Sequence, residues 1–236
     1  MDDVATLVDV CAAYEGERDA TLRGVSLTVG AREQLAITGP NGAGKTTILE
    51  VMNGLLPFQS GTVRVFGESV GPSSHRLRAE IAYLPQNLFF SADTPFLVRD
   101  VVLTARFAKS RVRRLAPTED RRIVDHALMA VGIAELQRRP VGRLSGGQQR
   151  KVLLARVLAQ AARLILLDEP TANLDVQAKE EIAALVAVVR RELGAAAVIV
   201  SHEAGPLRNA ADRTARVESG RIVETYDRMP IRSGLS

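Results

Sequence analysis

The chain has 236 residues, 46% hydrophobic and 25% charged, with a formal net charge of +4 and one cysteine. A chain of this size buries on the order of 70% of its unfolded surface, and this composition excludes disordered, collagen-like and disulfide-stapled classes. Cys11 has no partner for an internal disulfide, Met1-Asp2-Asp3 lacks the basic run of a secretory signal, and apolar runs such as 195–200 fall far short of the roughly 20 residues that span a bilayer, so a cytoplasmic protein is expected.

The first elements read as strands. Leu7-Val8-Asp9-Val10, the alternation of Val25, Leu27 and Val29, and Gln34-Leu35-Ala36-Ile37 occupy residues 4–38, and residues 62–66 alternate again between Gly61 and Gly67. They predict a small antiparallel layer leading into the first buried strand. That strand runs into Gly39-Pro40-Asn41-Gly42-Ala43-Gly44-Lys45-Thr46-Thr47, the pattern of a phosphate-binding loop, and a helical run ending near Gly54 follows. Glycines let the backbone curl so that successive N–H groups converge on phosphate at a helix N-terminus. Lys45 is placed to reach the β and γ oxygens, and the Thr46 hydroxyl to ligate Mg²⁺.

From residue 95 to 160 the pattern is helical. Ile123, Ala127, Leu128 and Val131 share one face, started by Pro117-Thr118 and closed by Gly132. Arg106, Lys109, Arg111, Arg113 and Arg114 form a basic tract that reads as a solvated helix end, a contact for anionic lipid headgroups, or a contact for nucleic acid. Phe107 is the one aromatic residue among them, which speaks against nucleic acid.

Leu164-Ile165-Leu166-Leu167 and Ala197-Val198-Ile199-Val200 are short continuous apolar runs separated by an amphipathic pattern over 178–193, as expected of buried parallel strands with crossover helices. The first ends in Asp168-Glu169. An acid at a strand end can hold Mg²⁺, and the next carboxylate can polarise an attacking water. Arg221-Ile222-Val223-Glu224 resembles a final hairpin strand, and residues 227–236 are expected to form a loose tail.

The loop alone leaves GTPases, kinases and many ATPases open, although no Asn-Lys-x-Asp base-reading motif occurs. Leu144-Ser145-Gly146-Gly147-Gln148 decides among them, because it resembles the signature of the ABC transporter ATPases and lies between the loop and the Leu164 run. Ser145 can cap the helix that follows, giving a second positive helix end suited to a γ-phosphate. The resemblance spans about residues 4–225. It implies an α/β fold: a P-loop NTPase ABC cassette with a mostly parallel core sheet, an N-terminal antiparallel β layer and a helical subdomain inserted at about 88–160, all one domain over 1–226.

The same resemblance implies roles. Gln86 matches the glutamine of the Q-loop, Asn173-Leu174-Asp175 the D-loop, His202 the switch histidine, and Tyr14 the aromatic that stacks on adenine. Glu169 would orient or deprotonate water, His202 would contact the γ-phosphate, and Thr46, Gln86 and Asp168 would hold Mg²⁺. The cofactors implied are ATP and Mg²⁺. Two copies, or this chain with a close relative, would sandwich two ATP molecules head to tail, each between one loop and the other chain's Ser145 region.

Residues 95–106 resemble the segment through which metal and iron-chelate importer ATPases contact their permease, and Arg139-Pro140-Val141-Gly142-Arg143-Leu144-Ser145 resembles the matching stretch of the zinc and manganese group. Thr104 and Ala105 depart from that group, where Met-Gly is common. The implied partners are an integral membrane permease contacted through about 87–115 and, through it, an extracytoplasmic substrate-binding protein; nucleic acid is not among them. His75, His126 and His202 are too dispersed to bind a cargo metal, so other subunits would carry it. An exporter ATPase, an iron-chelate importer ATPase and a soluble non-transport ABC ATPase are the rival readings; this sequence shows neither the long coiled coil nor the second cassette expected of the last.

Overall fold

A computed structural model describes residues 3–17, 19–71, 74–107, 117–202 and 205–227. In chain order the first elements are β1 (Asp3–Ala12), β2 (Leu22–Gly30), β3 (Gln34–Thr38), α1 (Lys45–Met52), β4 (Ser60–Val65) and β5 (Glu68–Ser69). The short helix α2 (His75–Ala79) and β6 (Ile81–Leu84) precede three long helices, α3 (Val98–Phe107), α4 (Pro117–Ala130) and α5 (Gly146–Gln160). The chain closes with β7 (Leu164–Asp168), α6 (Val176–Leu193), β8 (Ala196–Val200), α7 (Pro206–Asn209), β9 (Arg213–Glu218) and β10 (Arg221–Asp227).

The strands form two sheets. One is antiparallel in the order β2-β1-β4-β5, as the alternation in the first third of the sequence predicts. Within β1, Leu7 and Val10 are buried whereas Val8 and Asp9 both face out; Asp9 has a left-handed backbone (φ 49°) and donates its N–H to Ser26 Oγ at 3.0 Å. This bulge shifts the period by one residue, so Leu7 and Val10 reach the same core despite their odd spacing.

The other sheet has the order β10-β9-β3-β8-β7-β6, parallel from β9 to β6, with β10 added as an antiparallel edge. β3, β7 and β8 are buried at every residue, which requires cover on both faces. Alternate residues serve the two faces: Ile165 and Leu167 of β7 join the core built with α3, α4, α5 and α6, and Leu164 and Leu166 join the core shared with α1 and the antiparallel sheet. β6 escapes a sequence reading because it is four residues long and includes Tyr83, partly exposed.

The helical region follows the apolar stripe. Ala127 and Leu128 of α4 and Val131 just beyond it are buried, and Gly132 follows in a left-handed conformation (φ 70°) with its N–H on the Met129 carbonyl. α5 begins with a reciprocal cap: the Gln148 N–H donates to Ser145 Oγ at 3.3 Å, and the Ser145 N–H to Gln148 Oε1 at 3.1 Å. Of the basic tract, Arg106 is an internal structural residue, its Nε 2.8 Å from Asp120 Oδ1 and its Nη1 on the Ala159 carbonyl. Lys109, Arg111, Arg113 and Arg114 lie outside the described residues, as does the tail from residue 228. Asp227, assigned to the tail by sequence, is instead the last residue of β10, paired with Arg213.

Candidate functional site

Four neighbouring parallel strands deliver chemistry to one edge of the sheet. Their C-terminal ends lie in register, Ile37 beside Val200, Val200 beside Asp168 and Leu167 beside Leu84. The residues that follow are the phosphate loop after β3, Gln86 after β6, Glu169 after β7 and His202 after β8. Ligands of open parallel sheets occupy this edge.

The loop is built by close approaches. Gly39 has φ 143°, and a Cβ there would overlap the Val217 carbonyl of β9; Gly44, at φ 100°, faces Leu22 Cδ2 and the Thr21 carbonyl. Gly44 is also the N-cap of α1 and offers no side-chain acceptor, so the first N–H groups of that helix face the loop without a capping partner from Gly44. The Lys45 ammonium is buried and donates to the carbonyls of Gly39 and Pro40 at 2.9 and 2.8 Å, which aims it across the concave side of the loop.

Thr46 Oγ1 donates to Asp168 Oδ2 at 2.7 Å, while Asp168 Oδ1 is buried with no partner among the described residues. Burial raises the Asp168 pKa above the usual carboxylate value, Thr46 and Lys45 opposing the rise and the neighbouring Glu169 adding to it. Glu169 turns the chain with a left-handed backbone (φ 46°), held by its N–H on the Val200 carbonyl. Its carboxylate is gripped from two sides: Gln86 Nε2 donates to Oε2 at 3.0 Å, and His202 Nδ1 lies 2.9 Å from Oε1.

These groups border a cleft of about 580 Å³. Tyr14, Asn41, Gly42, Gly44, Lys45, Thr46, Thr47, Gln86, Glu169, Asn173 and His202 line it, whereas Gly39, Pro40 and Ala43 are not in the lining and Asp168 is bonded to Thr46 from outside it. The Tyr14 hydroxyl donates to Glu50 Oε2 at 2.7 Å and lies 3.2 Å from Thr47 Oγ1, so its ring is fixed at the cleft by α1. Leu144, Ser145, Gly146, Gly147 and Gln148 are not in the lining, nor are Leu174 and Asp175; Asp175 caps α6 by accepting the Ala178 N–H at 2.9 Å. Glu17, Thr21 and Ala172 also line the cleft, and Glu50 orients Tyr14. Position five residues beyond Lys45 on the same helix is the one sequence signal for Glu50.

A second hollow, about 500 Å³ and apolar, lies on the helical region between α3 and α5. Leu88, Phe90, Phe96, Val101 and Phe107 line it, with Phe96 and Phe107 more than half exposed.

The protein-family model described as "ABC transporter" matches residues 22–172. The chain belongs to the ABC transporter family. Within it, the chain is an ATPase subunit. It is 36% identical to the manganese transport system ATP-binding protein MntB of Halalkalibacterium halodurans, over 90% of this chain and 82% of that protein. It is 42% identical to the hemin import ATP-binding protein HmuV of Streptomyces coelicolor (85% and 70%) and 40% identical to the zinc import ATP-binding protein ZnuC of Cereibacter sphaeroides (83% and 72%). Among solved structures, cbiO1 of Clostridium perfringens, part of the ABC transporter complex cbiONQ, superposes with a TM-score of 0.83 at 29% identity, covering 96% of this chain and 89% of that one. A dimeric ATP-binding cassette in a post-hydrolysis state with ADP and Pi gives a TM-score of 0.80 at 25% identity, covering 96% and 100%. These relatives establish the α/β ABC cassette fold expected from the sequence. Among the described residues of this ABC ATPase, no helix is long and apolar enough to cross a membrane.

Proposed function

We propose that this chain is the ATP-hydrolysing subunit of a metal-ion importer, cytoplasmic and peripheral on the inner face of the plasma membrane, working as a head-to-tail pair beneath a separate permease. The observation that carries the chemistry is Glu169, held between Gln86 and His202 at the rim of a cleft whose floor is the Lys45 loop. Lys45 and the α1 N-terminus bind the phosphates; Glu169 orients the attacking water and accepts its proton; His202 donates to the γ-phosphate. Tyr14 offers its ring to the adenine, with its hydroxyl tethered to Glu50.

The residues fit Mg²⁺. Thr46 and Asp168 present hard oxygen donors, the buried Asp168 Oδ1 has no partner among the described residues, and the Gln86 amide oxygen is a further acceptor. When bound, Mg²⁺ would supply charge neutralisation to the phosphates. Thr46, Asp168 and Gln86 would hold it, and Asp168 would have to be ionised to do so.

The separation of Leu144-Ser145-Gly146-Gly147-Gln148 from the cleft supports a pair in which each chain's capped α5 completes its neighbour's site. Asn173, at the rim, would face that neighbour. The domain reading is one cassette running through β10 to Asp227, with the helical subdomain at about 88–160. The apolar hollow with exposed Phe96 and Phe107 is lined mainly by the 87–115 segment and supports permease contact there. Metal uptake is supported by the manganese and zinc relatives; the 42% likeness to a hemin import protein favours iron-chelate uptake as the second reading.

The test is to tag Glu169→Gln, solubilise membranes in mild detergent and identify the integral proteins that co-purify. A permease accompanied by a metal-binding extracytoplasmic protein supports the reading. One accompanied by a haem- or chelate-binding protein moves the cargo, and soluble partners alone sink the transport role.

A further inference from the structure

The helix capped by Ser145 carries, five residues on, an arginine whose placement the hydrolytic reading does not use. Arg150 is 1% exposed. Its Nη2 donates to the Gln86 carbonyl at 2.9 Å, its guanidinium carbon lies 4.6 Å from the centre of the Phe89 ring, and its Nε and Nη1 have no partner among the described residues. A guanidinium stays charged inside a protein, and a buried charge without a full set of acceptors is a costly occupant that an apolar side chain would avoid. The Gln86 carbonyl and the Phe89 face are therefore contacts that Arg150 strongly prefers to keep.

The neighbouring residue closes the other end of the same segment. Gln149 Oε1 accepts the Phe90 N–H at 3.0 Å and its Nε2 donates to the Phe90 carbonyl at 3.2 Å. Helix α5 thus grips the backbone at both Gln86 and Phe90. Beyond Gln86 the contacts continue through its side-chain amide to Glu169 and from Glu169 to His202. Two hydrogen bonds, one to the Gln86 carbonyl and one from its side-chain amide, connect the capped helix to the carboxylate by way of Gln86, and Arg150 is the link between helix and loop.

We propose that Arg150 is a positioning residue: it transmits the placement of α5 to the Gln86 amide, and so sets how Glu169 is held for hydrolysis without contributing to nucleotide binding. This rests on Glu169 being the hydrolytic carboxylate. The planar fork of an arginine keeps its direction when one of its N–H groups is bonded, which suits it to carry orientation.

The test is ATP turnover by the full-length protein carrying Arg150→Met, Arg150→Lys or Phe89→Leu, each with and without Gln86→Ala, alongside melting temperature. Arg150→Met should lower kcat about ten-fold, as misplacement of a reacting group does, with KM for ATP within about two-fold of wild type. Arg150→Lys should recover part of the loss, since an ammonium still donates to the Gln86 carbonyl, and Phe89→Leu should give a smaller loss. With Gln86→Ala present there is no amide left to position, and each change should cost less than about two-fold. Equal fold-losses in both backgrounds, or an unchanged kcat for Arg150→Met, overturn the proposal. Phe89 is 45% exposed, so its replacement gives the same reading if Arg150→Met fails to fold. Undiminished turnover by Glu169→Gln would defeat the hydrolytic reading instead, independently of these ratios.

Discussion

His202 Nδ1 lies 2.9 Å from Glu169 Oε1, joining the ends of two adjacent parallel strands through a carboxylate that faces the cleft. Glu169→Gln keeps the shape and an acceptor for Gln86 but removes the base. Turnover should fall by roughly 10²-fold or more with nucleotide still bound. Steady-state phosphate release paired with nucleotide titration checks this; near-normal hydrolysis would remove Glu169 from the role.

Lys45→Ala should weaken nucleotide binding. A charge-assisted contact to phosphate contributes about 1.5–3 kcal/mol, on the order of ten- to a hundred-fold in Kd. The change also strips the Gly39 and Pro40 carbonyls of their common donor. Calorimetric titration with ATP measures it, and an unchanged Kd would count against the loop as the phosphate site.

Ser145→Ala separates a local role from a role at the neighbour's ATP. Loss of the cap should cost about 1 kcal/mol of folding stability, seen in the denaturant midpoint. In the Glu169→Gln background, ATP affinity of the dilute monomer should stay unchanged, because Ser145 is not in its own chain's cleft, while ATP-driven association should weaken. Sedimentation velocity with and without ATP reads the second effect; equal association of both proteins would argue against the paired site.

The Tyr14 phenol is pushed from 10.0 up to about 12, chiefly by burial, with Glu50 adding and the Thr47 hydrogen bond opposing. Below pH 10 folded and unfolded chains both keep the proton, and the contribution of Tyr14 to stability is fully present. Between pH 10 and about 12 only the folded chain keeps it, so stability falls with rising pH and the contribution is gone above 12. Tyr14→Phe should flatten this part of the stability curve, followed by denaturant midpoints against pH. An unaltered slope would mean that Tyr14 is not held as described.

What the sequence made legible was local. The loop, the Asp168-Glu169 strand end and the Ser145 cap each depend on residues within a few positions, and their order along the chain named the family. Tyr14 was placed at the nucleotide by resemblance, but its bond to Glu50 joins residues 36 apart and no local pattern carries it. Arg150 was equally hidden. No local pattern marks Gln149 and Arg150, polar residues on a helix, as interior; they are buried where they bond to residues 86–90. The β1 bulge and the four-residue β6 were obscured for a related reason: one breaks the period of two, and the other is too short to show a period.

The two margins of the core sheet are finished differently, and with a common effect. At one, β10 is exposed along nearly its whole length and carries Arg221, Glu224 and Asp227; at the other, β6 is short and the Gln160 amide occupies the Ile81 carbonyl at 2.8 Å. Charged or truncated borders are poor templates for strand addition. The folded subunit is thereby guarded against edge-to-edge stacking of one copy on another.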